Sequence, residues 1–150
     1  LIRTKSPILG VVCAPALKTS YWGAVGHGAF CRENGISGSI AVNVPDDDDI
    51  RIISSRHHGN NRELQDFLAT FNVVQTIEAG SSLKFCVVAK GDADLYPRFG
   101  PTCEWDTAAG HAILDAAGGH VTNVDGSAFL YRKKDFRNSN FIAWGGLNPP

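Results

Sequence analysis

The sequence predicts an α/β fold in two parts: a piece of antiparallel sheet over residues 1–36, then a carboxyl-terminal α/β unit over residues 37–150. Three observations lead there. Short runs rich in Val, Ile, Tyr and Trp come first, separated by glycine turns, as in an antiparallel meander. After Asn34-Gly35 the pattern changes, and strand-like and helix-like segments alternate, which implies a sheet with helices packed on it. The last helix then carries small apolar residues at helical spacing and stops at Gly118-Gly119.

Taken in order, Leu1-Ile2 reads as the end of a strand leading through Pro7 into a further strand, Ile8–Cys13. Tyr21–Val25 is the next strand, and Gly26-His27-Gly28 turns the chain into Ala29–Arg32. In the second part the expected order is strand Ile50–Ser54, helix Asn61–Phe71, strand Asn72–Ile77, helix Ser82–Lys90 and strand Ala93–Tyr96. Helix Glu104–Ala117, strand His120–Asn123 and a closing strand Phe141–Trp144 follow. The helix from Asn61 places Leu64, Phe67, Leu68 and Phe71 on one face, the stripe it would bury. With no methionine at all and a start that reads as the end of a strand, the chain is expected to be an internal piece of a longer protein. An antiparallel sheet deprived of neighbouring strands would then offer unpaired edges and invite self-association.

Composition excludes several classes of function. At 150 residues and 43% hydrophobic content, the chain suffices for one cored domain. A net charge of −1 leaves no electrostatic footprint for a nucleic-acid polymer. No apolar run approaches the roughly 20 residues that span a bilayer, so no transmembrane segment is expected. Cys13, Cys31, Cys86 and Cys103 are widely separated and lack zinc-site spacing, which fits reduced thiols, with Cys86 packing as a small hydrophobe. The acidic run Asp46–Asp49 lacks the alternating ligands, central Gly and terminal Glu of a calcium loop and reads as solvated.

The chemistry centres on Trp105-Asp106 and the helix that follows. Ala108, Ala109, Ala112, Ile113, Ala116 and Ala117 form a stripe small enough for a neighbouring backbone to approach closely. Asp106 falls in the first turn, where free N–H groups and the helix dipole favour an ionised carboxylate. Such a group can cap the helix or hold a hard cation. The plainer reading is an Asp that only supports its helix.

An anion pocket is expected beside it. Gly80-Ser81-Ser82-Leu83-Lys84 puts a lysine in a first helical turn, where the dipole disfavours cations, and a bound anion would offset that. Alternatively Ser81 or Ser82 merely caps and Lys84 snorkels into water. Arg98 lies on Tyr96-Pro97-Arg98-Phe99-Gly100-Pro101, whose prolines restrict the backbone, and it is suited to bidentate phosphate recognition or to a surface ion pair. Ser54-Ser55-Arg56-His57-His58-Gly59 ends another strand in the same way. Ligands of open α/β sheets collect beyond the carboxyl ends of strands, so these three polar turns are expected to converge. Spacing does not choose between His57 and His58.

Together, Gly80-Ser81-Ser82-Leu83-Lys84-Phe85-Cys86, Leu95-Tyr96-Pro97-Arg98-Phe99-Gly100-Pro101-Thr102 and Trp105-Asp106-Thr107-Ala108-Ala109-Gly110-His111-Ala112 resemble the inositol monophosphatase superfamily, and within it the bisphosphate nucleotidase branch. The resemblance implies a layered α/β sandwich and Mg²⁺-dependent removal of phosphate from adenosine 3',5'-bisphosphate or its sulfated precursor. It also implies a cytoplasmic location, extending to a peripheral position on the inner membrane. Asp106 matches a Mg²⁺ ligand that contacts substrate; Ser81, Lys84 and Arg98 match positions holding the nucleotide and its non-reacting phosphate, and His58 matches a histidine near them. Glu104 stands where the family commonly has an uncharged residue, and it is expected to alter local pKa values. The family's main metal motif, Asp-Pro-x-Asp-Gly-Thr, is absent from the chain. The resemblance therefore implies a partner in the missing amino-terminal segment, no catalytic residue within this chain, and little activity on its own. Inositol monophosphatase specificity and a non-catalytic nucleotide-binding module are the alternative readings.

Overall fold

In the computed structural model, which describes residues 1–45, 49–55 and 62–147, the chain starts with a small hairpin, β1 (Ile2–Arg3) against β2 (Ser6–Pro7). A four-stranded antiparallel meander follows in chain order: β3 (Leu9–Ala14), β4 (Thr19–Ala24), β5 (Gly28–Glu33) and β6 (Ile36–Ile40). Asn34 and Gly35 both have positive φ, 48° and 89°, the backbone of a tight hairpin turn whose twist matches its strands. The change of pattern after Asn34-Gly35 is thus a reversal into one more strand, and the sheet runs past residue 36 to Ile40. Ile36-Ser37-Gly38-Ser39-Ile40 escapes a sequence reading because Ser and Gly fit a pleated surface poorly and four of its five residues are exposed.

The second sheet has the order β10-β11-β9-β7-β8, with β7 (Asp49–Ser54), β8 (Asn72–Glu78), β9 (Leu95–Arg98), β10 (His120–Asn123) and β11 (Phe141–Trp144). β7 runs parallel to β8 and β9, whereas β11 is antiparallel to both β9 and β10. Helices α2 (Leu83–Ala89) and α3 (Glu104–Ala116) lie between the two sheets. There one core joins Tyr21, Ala29 and Cys31 of the meander to Phe85 and Val88 of α2, Ile113 and Leu114 of α3, and Ile53 and Phe141 of the second sheet. On the far face of that sheet, Phe67 and Leu68 of α1 (Arg62–Leu68), with Phe71 beyond it, pack on Ile50, Ile52, Leu95, Ile142 and Trp144. The result is sheet, helix pair, sheet, helix: the expected layered α/β sandwich.

Small residues let α3 sit in the middle of this stack. A Cβ added at Gly110 would lie 2.7 Å from Cβ of Phe85, so α2 and α3 touch almost backbone to side chain at that point. One buried charge locks the layers: Asp94, wholly inaccessible, accepts hydrogen bonds from Asn43 Nδ2 (2.8 Å) and from Arg51 N (2.9 Å), Nε (3.0 Å) and Nη2 (2.8 Å). Burial would push the Asp94 carboxyl up, yet these donors outweigh it and hold the pKa below the ordinary value. The clamp joins the segment after β6 to β7 and to the turn before β9. All four cysteines are free thiols, and Cys86, inaccessible in the core, has its thiol pushed up to about 12 by burial. No described helix is long and apolar enough to cross a membrane.

Candidate anion-binding site

Four segments end around one cavity of about 580 Å³: the end of β7 at Ser55, the turn Ala79–Ser82 into α2, β9 from Tyr96 to Arg98, and the first turn of α3 at Asp106 and Thr107. Lys84, Arg98 and Asp106, drawn from three of these segments, line it together with Ser81. His58, like its neighbours Arg56 and His57, lies outside the described residues. Asp46–Asp48 lie outside them too, while Asp49 opens β7 and accepts a hydrogen bond from Asn72 Nδ2 (2.6 Å).

Lys84 does not snorkel. Its side chain is 3% exposed, and the ammonium folds back past the start of α2 to the carbonyls of Ser81 (2.9 Å) and Ala79 (3.4 Å), 5.1 Å from the centroid of the Tyr96 ring. Ser81 has a left-handed backbone (φ 55°), which turns its carbonyl toward this ammonium. No carboxylate pairs with Lys84 among the described residues. Burial, reinforced by the Arg98 guanidinium, therefore pulls its pKa down to about 8. Arg98 donates from Nη1 to Ser55 Oγ and from Nη2 to the Pro101 carbonyl, both at 3.2 Å, while its buried Nε has no hydrogen-bond partner. Two cations thus share a cavity, neither in an ion pair with a carboxylate among the described residues.

Asp106 faces them from the start of α3. Its Oδ2 accepts the backbone N–H of Cys103 (2.8 Å), closing the helix N-terminus in a capping arrangement. Ser82 does not cap α2; its hydroxyl instead donates to the Asp106 carbonyl (3.1 Å) and stitches α2 to α3. Trp105, expected on the same stretch, is 70% exposed and rests on Phe136, ring centroids 6.3 Å apart. Glu104 is buried and turned away: it accepts the amides of Lys133 (2.8 Å) and Arg132 (2.9 Å) and pairs with the Lys133 ammonium (3.2 Å). Burial would raise its pKa, but these donors prevail and hold it low. Its role is to pin the 130–133 segment beside the helix start.

Ser55, Thr102 and Thr107 also line the cavity, and sequence reasoning did not single them out. Ser55 stood inside a polar turn, but only the fold reveals that it fixes Arg98. Thr107 follows Trp-Asp directly; a hydroxyl on the buried side of an otherwise small, apolar helix is the signal that could have found it.

The inositol monophosphatase family model matches residues 1–148. The chain belongs to that family. The 3'(2'),5'-bisphosphate nucleotidase CysQ of Salmonella typhimurium is 46% identical over 145 residues, 94% of this chain and 56% of that protein. The protein of the same name from Escherichia coli K12 is 45% identical over the same length, with the same shares. The crystal structure of CysQ from Bacteroides thetaiotaomicron superposes with a TM-score of 0.85 at 33% identity, covering 98% of this chain and 61% of that one. The chain spans little more than half the length of these curated relatives, 56% in both cases.

As a metal site, the described residues are incomplete. No group of three His, Cys, Asp or Glu side chains is placed to hold a metal ion among them. Asp106 has one carboxylate oxygen committed to the Cys103 amide, leaving the other for a ligand. That fits one ligand of a shared site and does not form a cage.

Proposed function

We propose that this chain forms the substrate-binding wall of a phosphatase acting on adenosine 3',5'-bisphosphate. The observation that carries the reading is the cavity holding a buried Lys84 ammonium and an Arg98 guanidinium with an unpartnered Nε, neither paired with a carboxylate among the described residues. A phosphate dianion supplies the missing charge and acceptors, and charge-assisted hydrogen bonds to it are stronger than the carbonyl contacts it joins. The cavity of about 580 Å³ is of the size that takes a small-molecule ligand. The names carried by the similar Salmonella and Escherichia proteins support the nucleotide over an inositol phosphate.

In this reading Lys84 and Arg98 hold the non-reacting phosphate, with Ser81 and His58 adding polar contacts. Asp106, whose second carboxylate oxygen is not engaged by the Cys103 amide, would be one ligand of a divalent cation, Mg²⁺. Bound there, that ion would supply Lewis-acid stabilisation and a more acidic water. The work of this chain's own residues is binding and orientation: ordering two phosphates against fixed cations converts encounter into alignment. The remaining ligands belong to sequence that the family places before this portion.

Calorimetric titration of the chain with adenosine 3',5'-bisphosphate, alongside inositol 1-phosphate, tests the reading. Tighter binding of the bisphosphate is expected, with phosphate release in Mg²⁺ near background. Arg98→Lys, which loses the planar fork, weakens binding by roughly 10-fold or more. Undetectable bisphosphate binding by the folded chain, or unchanged affinity in Arg98→Lys, would remove the basis for it.

A further inference from the structure

Behind the cavity wall a line of polar side chains runs through the core. Asp115 Oδ2 lies 3.3 Å from His111 Nε2, and His111 Nδ1 lies 3.1 Å from the Tyr131 hydroxyl. That hydroxyl donates to Thr107 Oγ1 at 3.1 Å. Asn138 Nδ2 reaches both Thr107 Oγ1 (3.2 Å) and Thr102 Oγ1 (3.1 Å). Thr107 in turn donates to the Glu104 carbonyl (3.2 Å), inside the first turn of α3. Thr107 and Tyr131 are each 1% exposed and His111 is 5% exposed, so the line is almost wholly within the protein.

Such a line is a poor way to gain stability. Buried polar groups recover in hydrogen bonds roughly what they lose in hydration, and well-packed apolar residues of similar volume often serve as well. Apolar packing is already at hand, since Phe129 stacks edge-on against Tyr131 at 5.6 Å and lies 6.0 Å from His111. What the line achieves is placement. Its far end is Thr107, adjacent to Asp106, and both threonines it touches line the cavity. Thr107 receives two hydrogen bonds and makes a third, so its rotamer and the turn carrying Asp106 are held from three directions.

We propose that Tyr131, steadied by His111, is a positioning residue that acts through Thr107 to fix the first turn of α3, and with it the Asp106 side of the ligand cavity. The proposal deepens the phosphatase reading and rests on it for the identity of the ligand. Tyr131 touches no ligand in this role. Its effect on that turn passes through the Thr107 hydroxyl, so removing the Tyr131 hydroxyl gives part of the lesion made by removing that of Thr107, which also loses Asn138 and the Glu104 carbonyl, and removing both adds nothing to the Thr107 loss.

Two measurements on the 150-residue chain test this, using Tyr131→Phe, Thr107→Val, the double variant and Thr107→Ser. The first needs no ligand: amide hydrogen exchange over 103–107 against exchange in the core of the second sheet. Tyr131→Phe should speed exchange in the first turn of α3 by roughly 5- to 10-fold, as expected for loss of about one net hydrogen bond, and Thr107→Val by at least as much, both leaving the sheet unchanged. The second is affinity for adenosine 3',5'-bisphosphate. Each single variant should lose affinity, Thr107→Val at least as much as Tyr131→Phe, the double variant should lose no more than Thr107→Val, and Thr107→Ser should restore the wild-type value. First-turn exchange unchanged in Tyr131→Phe, additive losses in the double variant, or acceleration spread evenly through the protein each overturns the proposal. If the wild-type chain fails to bind the bisphosphate, the phosphatase reading fails while the exchange result still decides this one.

Discussion

Lys84 is the residue whose cost and use oppose each other most clearly. A buried ammonium satisfied by two carbonyls and an aromatic face is worse off than in water, and its depressed pKa expresses that. The folded value is about 8 against an ordinary 10.5, so between those values the unfolded chain binds more protons at this site than the folded one. Stability contributed through Lys84 therefore rises with pH across that interval, and below about 8 the burial cost is present in full. Lys84→Met removes the charge and keeps most of the volume. It should raise unfolding free energy near neutral pH by on the order of 1–2 kcal/mol, and the difference from wild type should shrink as pH climbs past 8 toward 10.5. Urea denaturation of both proteins across that range reads the effect, and a gap that widens with pH contradicts it. The same substitution should weaken bisphosphate binding by about 10-fold or more, separating a stabilised fold from a disabled site. Lys84, Arg98 and Asp106 are legible as residues because each has a marked local setting: a cation in a first turn where the dipole disfavours it, a guanidinium between prolines, and a carboxylate in the first turn of a small, apolar helix. Ser55 and Thr107 are not, since their meaning comes from partners distant in sequence, 43 residues away for Ser55 and Arg98. Glu104, whose charge the sequence suggests alters local pKa values without making it a ligand, binds the amides of Lys133 and Arg132 and adds to burial in raising the pKa of the Tyr131 hydroxyl.

At the scale of elements, α3 owes its position to the side chains it lacks. Gly110 lies against Phe85, with a notional Cβ 2.7 Å from Phe85 Cβ and Cδ2, and the 2.8 Å approach to Cγ leaves no direction of escape. Helix propensity favours Ala over Gly by about 1 kcal/mol, so on an exposed helix Gly110→Ala would stabilise. Here steric overlap should prevail and the variant should lose roughly 1–3 kcal/mol, seen as a lower urea midpoint with an unchanged slope. A midpoint at or above wild type would mean that α2 and α3 can part without penalty. The same contact explains which elements were readable. The helices and strands from Ile50 onward carry a readable pattern, most because they bury a face or lie in the core and β8 because Val73 and Ile77 alone are half-buried, and the structure places them within a few residues of the expected ends. β6 has no such pattern, being held by pairing to β5 while exposing most of its side chains. What no periodicity conveys is order within a sheet. The antiparallel insertion of β11 between β9 and β10 depends on which edge is free when the chain returns, a property of the assembled sheet.

Across the whole molecule, the two sheets are covered unequally. Among the described residues the second sheet carries helices on both faces, whereas the meander carries helix, chiefly α3, on one face only. Its other face presents the row Val11, Trp22, Phe30 and Ser39, cross-strand partners, with Trp22 and Phe30 stacked at 5.8 Å. Val11 is 56% exposed, and Leu9, on the same strand and face, is 44% exposed. The outer strands β3 and β6 end the sheet on either side, and Ile36 at the β6 edge is 79% exposed. An apolar face between two open edges is the arrangement that drives sheet proteins together, because association hides apolar area and pairs edge amides at once. With a net charge of only −1, long-range repulsion does little to oppose it. The chain should therefore associate with itself as concentration rises, visible as a growing sedimentation coefficient in velocity runs. Val11→Lys places a charge in the centre of the face without touching the core behind it, and should return the chain to a monomer with little change in unfolding midpoint. No residue of the meander lines the ligand cavity, so bisphosphate affinity should be the same in wild type and Val11→Lys at low concentration. A monomeric wild type at all concentrations would show that charge and twist already protect these edges, and association unchanged by Val11→Lys would move the contact elsewhere.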